Sequence, residues 1–99
     1  MRLSAGQINI IRQTVATLAG PAAVTRVFGS RTDDGLRGGD IDLYVELKEP
    51  VDSAVRLSAR IGARLQQLLG DRRIDVLISA PNLPQHPIHR IARETGIEL

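Results

Sequence analysis

VFGSRTDDGLRGGDIDLYVE, residues 27–46, joins two apolar segments through a polar loop that contains three glycines. The first segment ends at Gly29-Ser30, and the second begins with Asp40 and Asp42. Side chains two residues apart on a strand project from the same face of the sheet. The spacing therefore predicts two carboxylates on one face of an otherwise apolar strand, which is an unusual arrangement without a functional cause.

Hydrophobic periodicity predicts that residues 1–99 form one α+β domain. Helices are predicted over residues 5–19, 53–69 and 87–94, with Ser4 and Gln7 in a capping-box spacing and Asp52 as the cap of the second helix. Strands are predicted over residues 23–28, 40–47 and 73–78, and residues 97–99 could add a short closing strand. We expect two layers: a mixed sheet of three or four strands, with helices on one face and the candidate site on the other.

Alternation along residues 40–47 assigns the side chains of the second strand to two faces. The core face is predicted to hold Ile41, Leu43, Val45 and Leu47. The other face, which we expect to be at least partly open, holds Asp40, Asp42, Tyr44 and Glu46. Tyr44 and Leu77 would line either a nucleotide pocket or a partner interface.

Composition limits the classes of protein to consider. The absence of cysteine excludes disulfides, thiolate zinc sites and cysteine nucleophiles. Twelve of the thirteen basic residues are arginine, but the net charge is only +2. Because this small net charge does not indicate nucleic-acid binding, nucleic acid is not an expected partner. No apolar run approaches the roughly 18 residues of a membrane span, and residues 1–11 lack a signal-peptide core. We expect a cytoplasmic protein with no membrane association.

Asp75, on the predicted strand 73–78, is a third strand carboxylate beside Asp40 and Asp42. Adjacent carboxylates repel one another unless a cation compensates them. Mg²⁺ prefers oxygen ligands and shares its coordination with substrate phosphates, and two such ions can support an in-line phosphoryl displacement. The sequence therefore predicts a divalent-metal site at Asp40, Asp42 and Asp75, provided that the second and third strands are neighbours.

Gly29-Ser30 is the candidate phosphate-binding element. Glycine permits close approach of the backbone to a phosphate, and the N–H groups that follow, with the Ser30 hydroxyl, can donate to its oxygens. Arg31 could add a charge contact to a phosphate, although a solvated loop arginine is an equal alternative. Asp33 and Asp34 are interpreted as turn formers.

The patterns GSR…GDIDLYVE and RIDVLI together resemble the minimal nucleotidyltransferases of the DNA polymerase beta superfamily, as found in HEPN/MNT toxin–antitoxin pairs. The resemblance covers nearly the whole chain. It implies a polymerase-beta-like fold, phosphate binding by Gly29 and Ser30, and metal binding by Asp40, Asp42 and Asp75. The chain departs from the family pattern at Gly39, where family members often have a serine. Glycine at this position removes a hydroxyl group but no metal ligand.

The resemblance also implies an activity and a partner. The expected activity is transfer of a nucleoside monophosphate, usually AMP from ATP with Mg²⁺, to a hydroxyl, with pyrophosphate leaving. The expected acceptor is a tyrosine of a helical HEPN-type toxin, which makes the chain an antitoxin. Two alternatives remain: a non-catalytic module that occludes its partner, and transfer to a small molecule or an RNA 3′ end.

Two further patterns have mainly structural interpretations. The second predicted helix carries three arginines at i, i+4 spacing, Arg56, Arg60 and Arg64. This pattern favours a solvated helix face; the alternative is a docking surface for an acidic partner or nucleotide. His86 and His89 have a spacing that superficially suggests zinc, but such a pair in a proline-rich segment is more often structural or exposed.

Overall fold

The computed structural model describes residues 3–29, 40–70 and 72–99. In chain order the elements are α1 (Ala5–Ala19), β1 (Val24–Phe28), β2 (Ile41–Glu46), α2 (Ala54–Leu69), β3 (Ile74–Ser79), α3 (Pro87–Thr95) and β4 (Ile97–Glu98). The predicted α+β class is confirmed, and each predicted element is present with bounds that differ by at most one residue. None of the helices in the described part of the chain is long and apolar enough to cross a bilayer.

The four strands form one mixed sheet in the order β3-β2-β1-β4. β1 runs antiparallel to both β2 and β4, whereas β2 and β3 are parallel. Parallel neighbours need a crossover connection, and α2 provides it. The sheet therefore brings β2 and β3 side by side, which is the condition that the predicted carboxylate site required.

One face of the sheet forms the hydrophobic core with α1 and α2. Ile41, Leu43 and Val45 are fully buried there, as the alternation of the second strand predicted. They belong to one apolar cluster with side chains of both helices, among them Ile11, Val15, Leu57, Ile61 and Leu65. Because aromatic residues are scarce, aliphatic side chains alone fill this core.

The opposite face of the sheet is partly covered by α3, so the prediction that helices lie on one face only is wrong. Tyr44, expected at a pocket or interface, is fully buried. Its ring contacts the His89 ring of α3 edge-on at a centroid distance of 6.3 Å, and the Arg26 guanidinium carbon lies 5.9 Å from its centroid. Among the described residues, α3 therefore covers the Tyr44 end of this face, and Asp42 at the other end is half-buried.

Helix caps explain two of the boundaries. Ser4 and Gln7 form the predicted capping box at the start of α1. The cap of α2 is Ser53 rather than Asp52, because the Ser53 hydroxyl accepts a hydrogen bond from the Arg56 N–H at 3.1 Å. Both residue types are good caps, so the neighbouring residue takes the role that Asp52 was expected to fill.

Candidate metal centre

The sheet register brings two of the three predicted carboxylates together. Asp42 of β2 and Asp75 of β3 are direct partners in the parallel ladder. Side chains at matched positions of neighbouring strands lie on the same face, so the two carboxyl groups point to the same side of the sheet. Asp40 lies just before β2 and is exposed, and its charge still acts on Asp42.

The electrostatics of Asp42 show how closely the acidic groups lie. Burial raises the pKa of Asp42, and the charge of Asp75, a hydrogen bond to Asp75 and the charge of Asp40 raise it further. Arg73 acts in the opposite direction and lowers it. Without a divalent cation, Asp42 therefore binds its proton more tightly than an ordinary aspartate does, as expected of a carboxyl group placed beside others of its kind.

Gly29 packs directly against the Asp42 carboxyl group. Phe28 and Asp42 are partners in the antiparallel ladder, so the residue that follows Phe28 lies beside the carboxylate. Gly29 has a φ of 72°, and a Cβ atom built on it would lie 2.5 Å from Asp42 Oδ2. Only glycine fits this position without a shift, so the predicted phosphate-binding backbone and the predicted metal ligand are adjacent.

Arg73 is a residue of the site that the sequence interpretation missed. Its Nε lies 3.1 Å from Asp75 Oδ2, and both side chains are more than half exposed. The i, i+2 spacing of Arg73 and Asp75 on a strand could have revealed the contact, because both side chains project from one face. Exposed ion pairs contribute only about 0–1 kcal/mol, so exchanging Arg73 for a metal ion at Asp75 costs little.

The described residues do not form a closed three-ligand group. Within residues 3–29, 40–70 and 72–99, no three His, Cys, Asp or Glu side chains have the spacing to hold a metal ion together. The donor set nevertheless fits Mg²⁺, which is usually bound by one or two carboxylates together with water and substrate phosphates. Asp42 and Asp75 provide one such pair of carboxylates, and Asp40 is close enough for its charge to act on Asp42. Ser30, Arg31, Asp33, Asp34 and Gly39 lie outside the described residues.

His86 and His89 do not form a metal site. The His86 backbone N–H donates to His89 Nδ1 at 3.0 Å, and His89 Nε2 lies 3.2 Å from the Ile78 carbonyl oxygen, to which it donates. His89 is buried, and both of its ring nitrogens are engaged. The structural interpretation of this pair is therefore confirmed: His89 attaches α3 to the end of β3.

The arginines of α2 are exposed at Arg56, Arg60 and Arg64, as expected for a solvated helix face. Arg64 donates to the side chain of Gln67 at 3.1 Å.

Comparison of the chain with family models, curated proteins and solved structures gave no match. The residues and geometry of this chain therefore carry its functional interpretation.

Proposed function

We propose that this chain is a metal-dependent nucleotidyltransferase that moves a nucleoside monophosphate, most simply AMP from ATP, to a hydroxyl acceptor. The observation that carries the proposal is the Asp42–Asp75 pair at matched positions of two parallel strands, packed against the backbone of Gly29. The resemblance of the strand motifs to minimal nucleotidyltransferases supports the same activity and a polymerase-beta-like fold.

Each residue of the site has a defined part in this reaction. Asp42 and Asp75, with Asp40, bind and orient the metal-bound nucleotide, and Gly29 lets the phosphates approach the end of β1. Magnesium ions supply charge neutralisation of the triphosphate and of the leaving pyrophosphate. Asp75 is half exposed, so it can reach an incoming hydroxyl, orient it and accept its proton.

The bond changes balance without a further reactant. The acceptor oxygen forms a bond to the α-phosphorus, and the bond from that phosphorus to its bridging oxygen breaks. The electron pair leaves with pyrophosphate, and the hydroxyl proton passes to Asp75. Positioning and charge neutralisation account for most of the catalysis, as in other phosphoryl transfers.

The proposed acceptor is a tyrosine of a helical HEPN-type toxin, for which this chain would act as the antitoxin. This part of the proposal is supported by the family resemblance of the strand motifs. A second chain would then supply the acceptor.

The test is incubation of the purified protein with labelled ATP, Mg²⁺ and the product of the adjacent reading frame. We expect label on the partner, and loss of labelling with the Asp40→Asn/Asp42→Asn double variant. The matched control is Asp52→Asn, an exposed aspartate before α2 at the other end of β2, which should label normally. No labelling by the parent protein would contradict the proposed activity.

A second candidate is a non-catalytic antitoxin that blocks its partner by occlusion. The observation in its favour is that no three-ligand metal group forms within the part of the chain that the structure describes. A toxicity-rescue assay separates the two candidates. The double aspartate variant would still protect cells under the occlusion hypothesis, whereas the enzymatic proposal predicts loss of protection.

A further inference from the structure

The outer edge of β3 pairs with no other strand of the described residues. β3 is a terminal strand of the sheet formed by the described residues. The Ile41 N–H donates to the Arg73 carbonyl at 2.9 Å, and the Leu47 N–H donates to the Ser79 carbonyl at 2.8 Å. Because backbone groups alternate in direction along a strand, the odd-numbered residues of β3 bond towards β2. Ile74, Val76 and Ile78 therefore direct their backbone N–H and C=O groups to the outer edge.

At one end of this edge, an outward backbone group already has a hydrogen-bond partner. The Ile78 carbonyl, which is one of the outward groups, is bonded to His89 of α3. Ile74 and Val76 have no strand partner on the outer side within the described residues. The uncovered part of the edge is thus the short section on either side of Asp75.

α2 leaves a groove along the same section. The groove has a volume of about 390 Å³ and is lined by Asp75, the edge of β3 and small α2 residues such as Ser58, Ala59 and Gly62. A Cβ atom at Gly62 would lie 3.7 Å from the outward Ile74 carbonyl oxygen, so the α2 backbone forms the wall of the groove at this point. An unpaired strand edge beside a groove is complementary to an extended polypeptide, which offers backbone donors and acceptors at the same repeat.

We propose that an extended polypeptide segment adds to the outer edge of β3 at Ile74 and Val76 and places a tyrosine opposite Asp75. The proposal rests on the proposed function and places the acceptor tyrosine in an extended segment of the partner, outside its helices. A residue opposite Asp75 has its side chain on the same face, with Cβ atoms about 5 Å apart. Its hydroxyl oxygen would attack the α-phosphorus, pyrophosphate would leave, and the proton would pass to Asp75.

A tethered peptide tests the docking without ATP or metal. The chain contains no cysteine, so Ala59→Cys provides a unique attachment point on the groove wall. The probe is the peptide acetyl-Cys-Gly-Ser-Gly-Thr-Val-Tyr-Val-Thr-amide, linked through a disulfide so that its effective concentration is about millimolar. A twin peptide with N-methylated valines cannot donate to the strand edge, and attachment at Gln13→Cys on α1 is the positional control.

The measurement is amide hydrogen exchange at Ile74 and Val76. We expect exchange to slow by about tenfold or more with the Ala59→Cys conjugate, and to remain unchanged with the methylated twin or the α1 attachment. Unchanged exchange in the Ala59→Cys conjugate, or equal protection by the methylated twin, would overturn the proposal.

Gly62 offers a matched pair of variants for the groove. Gly62→Ala adds a Cβ at an ordinary contact distance, whereas Gly62→Leu fills the groove beside Ile74. Both changes raise helix propensity, so both variants should fold. We expect Gly62→Ala to keep the protection and Gly62→Leu to lose it. Protection that persists in Gly62→Leu would show that the peptide lies elsewhere.

Adding ATP and Mg²⁺ to the same conjugate separates this proposal from the proposed function. AMP on the peptide tyrosine together with protected β3 amides supports both. Protected amides without AMP would support the docking and contradict nucleotidyl transfer to this acceptor. AMP transfer without protection would support the activity and overturn the docking.

Discussion

Gly29 and Asp42 meet at the end of β1, and each restricts what the other position can contain. The positive φ of Gly29 removes most alternatives to glycine, and the carboxyl oxygen of Asp42 occupies the space of a Cβ. The sequence predicted both residues as parts of one site from their motifs. It could not predict their contact, because the antiparallel register between β1 and β2 creates it.

Gly29→Ala should therefore destabilise the protein more than Gly20→Ala. Gly20 also has a positive φ, of 98°, but nothing lies within 4 Å of its added Cβ. Gly20→Ala isolates the backbone strain, which is of the order of 1–3 kcal/mol. Gly29→Ala adds the clash with Asp42. Urea unfolding measures the free energy of unfolding of the two variants. The difference between the two values should become smaller when Asp42→Ala is added to both. Equal losses of stability in Gly29→Ala and Gly20→Ala would contradict the packing of Gly29 against Asp42.

The raised pKa of Asp42 makes stability depend on pH in the absence of metal. A carboxyl group whose pKa is higher in the folded state binds its proton more tightly there than in the unfolded chain. The resulting contribution to the free energy of unfolding is complete below pH 3.8, the ordinary pKa of the group, and is lost as the pH rises through the raised pKa. At neutral pH the ionised group therefore costs stability.

Asp42→Asn should accordingly raise the melting temperature at neutral pH in EDTA, and the gain should shrink as the pH falls towards 3.8. Differential scanning fluorimetry across this range checks the expectation. Asp52→Asn, at an exposed position, is the control and should change little. A lower melting temperature of Asp42→Asn at neutral pH would show that the carboxylate is stabilising without metal.

At the scale of elements, α3 is the part that sequence patterns described least completely. Its bounds were predictable because Pro87 begins it and Gly96 follows it, both local signals. Its position was not, because it depends on His89 reaching the Ile78 carbonyl and the ring of Tyr44. Strand alternation assigned Tyr44 to the correct face but contained no information on what covers that face.

His89→Ala should lower the free energy of unfolding by about 1–3 kcal/mol, because the Ile78 carbonyl and the His86 N–H lose a buried partner. Arg90→Ala is the neighbouring control. Arg90 forms an exposed pair with Glu94 at 3.4 Å, and its removal should cost about 0–1 kcal/mol. Similar small losses in both variants would contradict the structural role. Stabilisation by Zn²⁺ that disappears in His89→Ala would instead indicate a metal ligand.

On the scale of the whole molecule, charge is distributed unevenly. Every charged side chain of α1 and α2 is an arginine, whereas Asp42, Glu46 and Asp75 project from the opposite face of the sheet. The alternation of β2 predicted that Asp42 and Glu46 lie on the face opposite the core. The contact of Arg73 with Asp75 on this face was missed, although both residues belong to the RIDVLI motif.

Mg²⁺ binding should stabilise the entire fold, since a ligand that binds only the native state adds about 2.7 kcal/mol at 100 times its dissociation constant. Asp42→Asn and Asp75→Asn should abolish the Mg²⁺-dependent rise in melting temperature. Arg73→Gln should shift that rise to lower Mg²⁺ concentrations, because a competing cation is removed. Thermal unfolding during a Mg²⁺ titration, at constant ionic strength, provides the measurement. An identical titration curve for Asp42→Asn would contradict the assignment of the site.

The parallel pairing of β2 with β3 has a consequence for the order of folding. Asp42 and Asp75 are far apart along the chain and become neighbours only after α2 has crossed from one strand to the other. Such non-local contacts form after local ones, because loop closure opposes them. A growing chain that has not yet reached β3 contains Gly29, Asp40 and Asp42 but lacks the partner carboxylate. The proposed site is therefore assembled late in folding, and incomplete chains do not contain it.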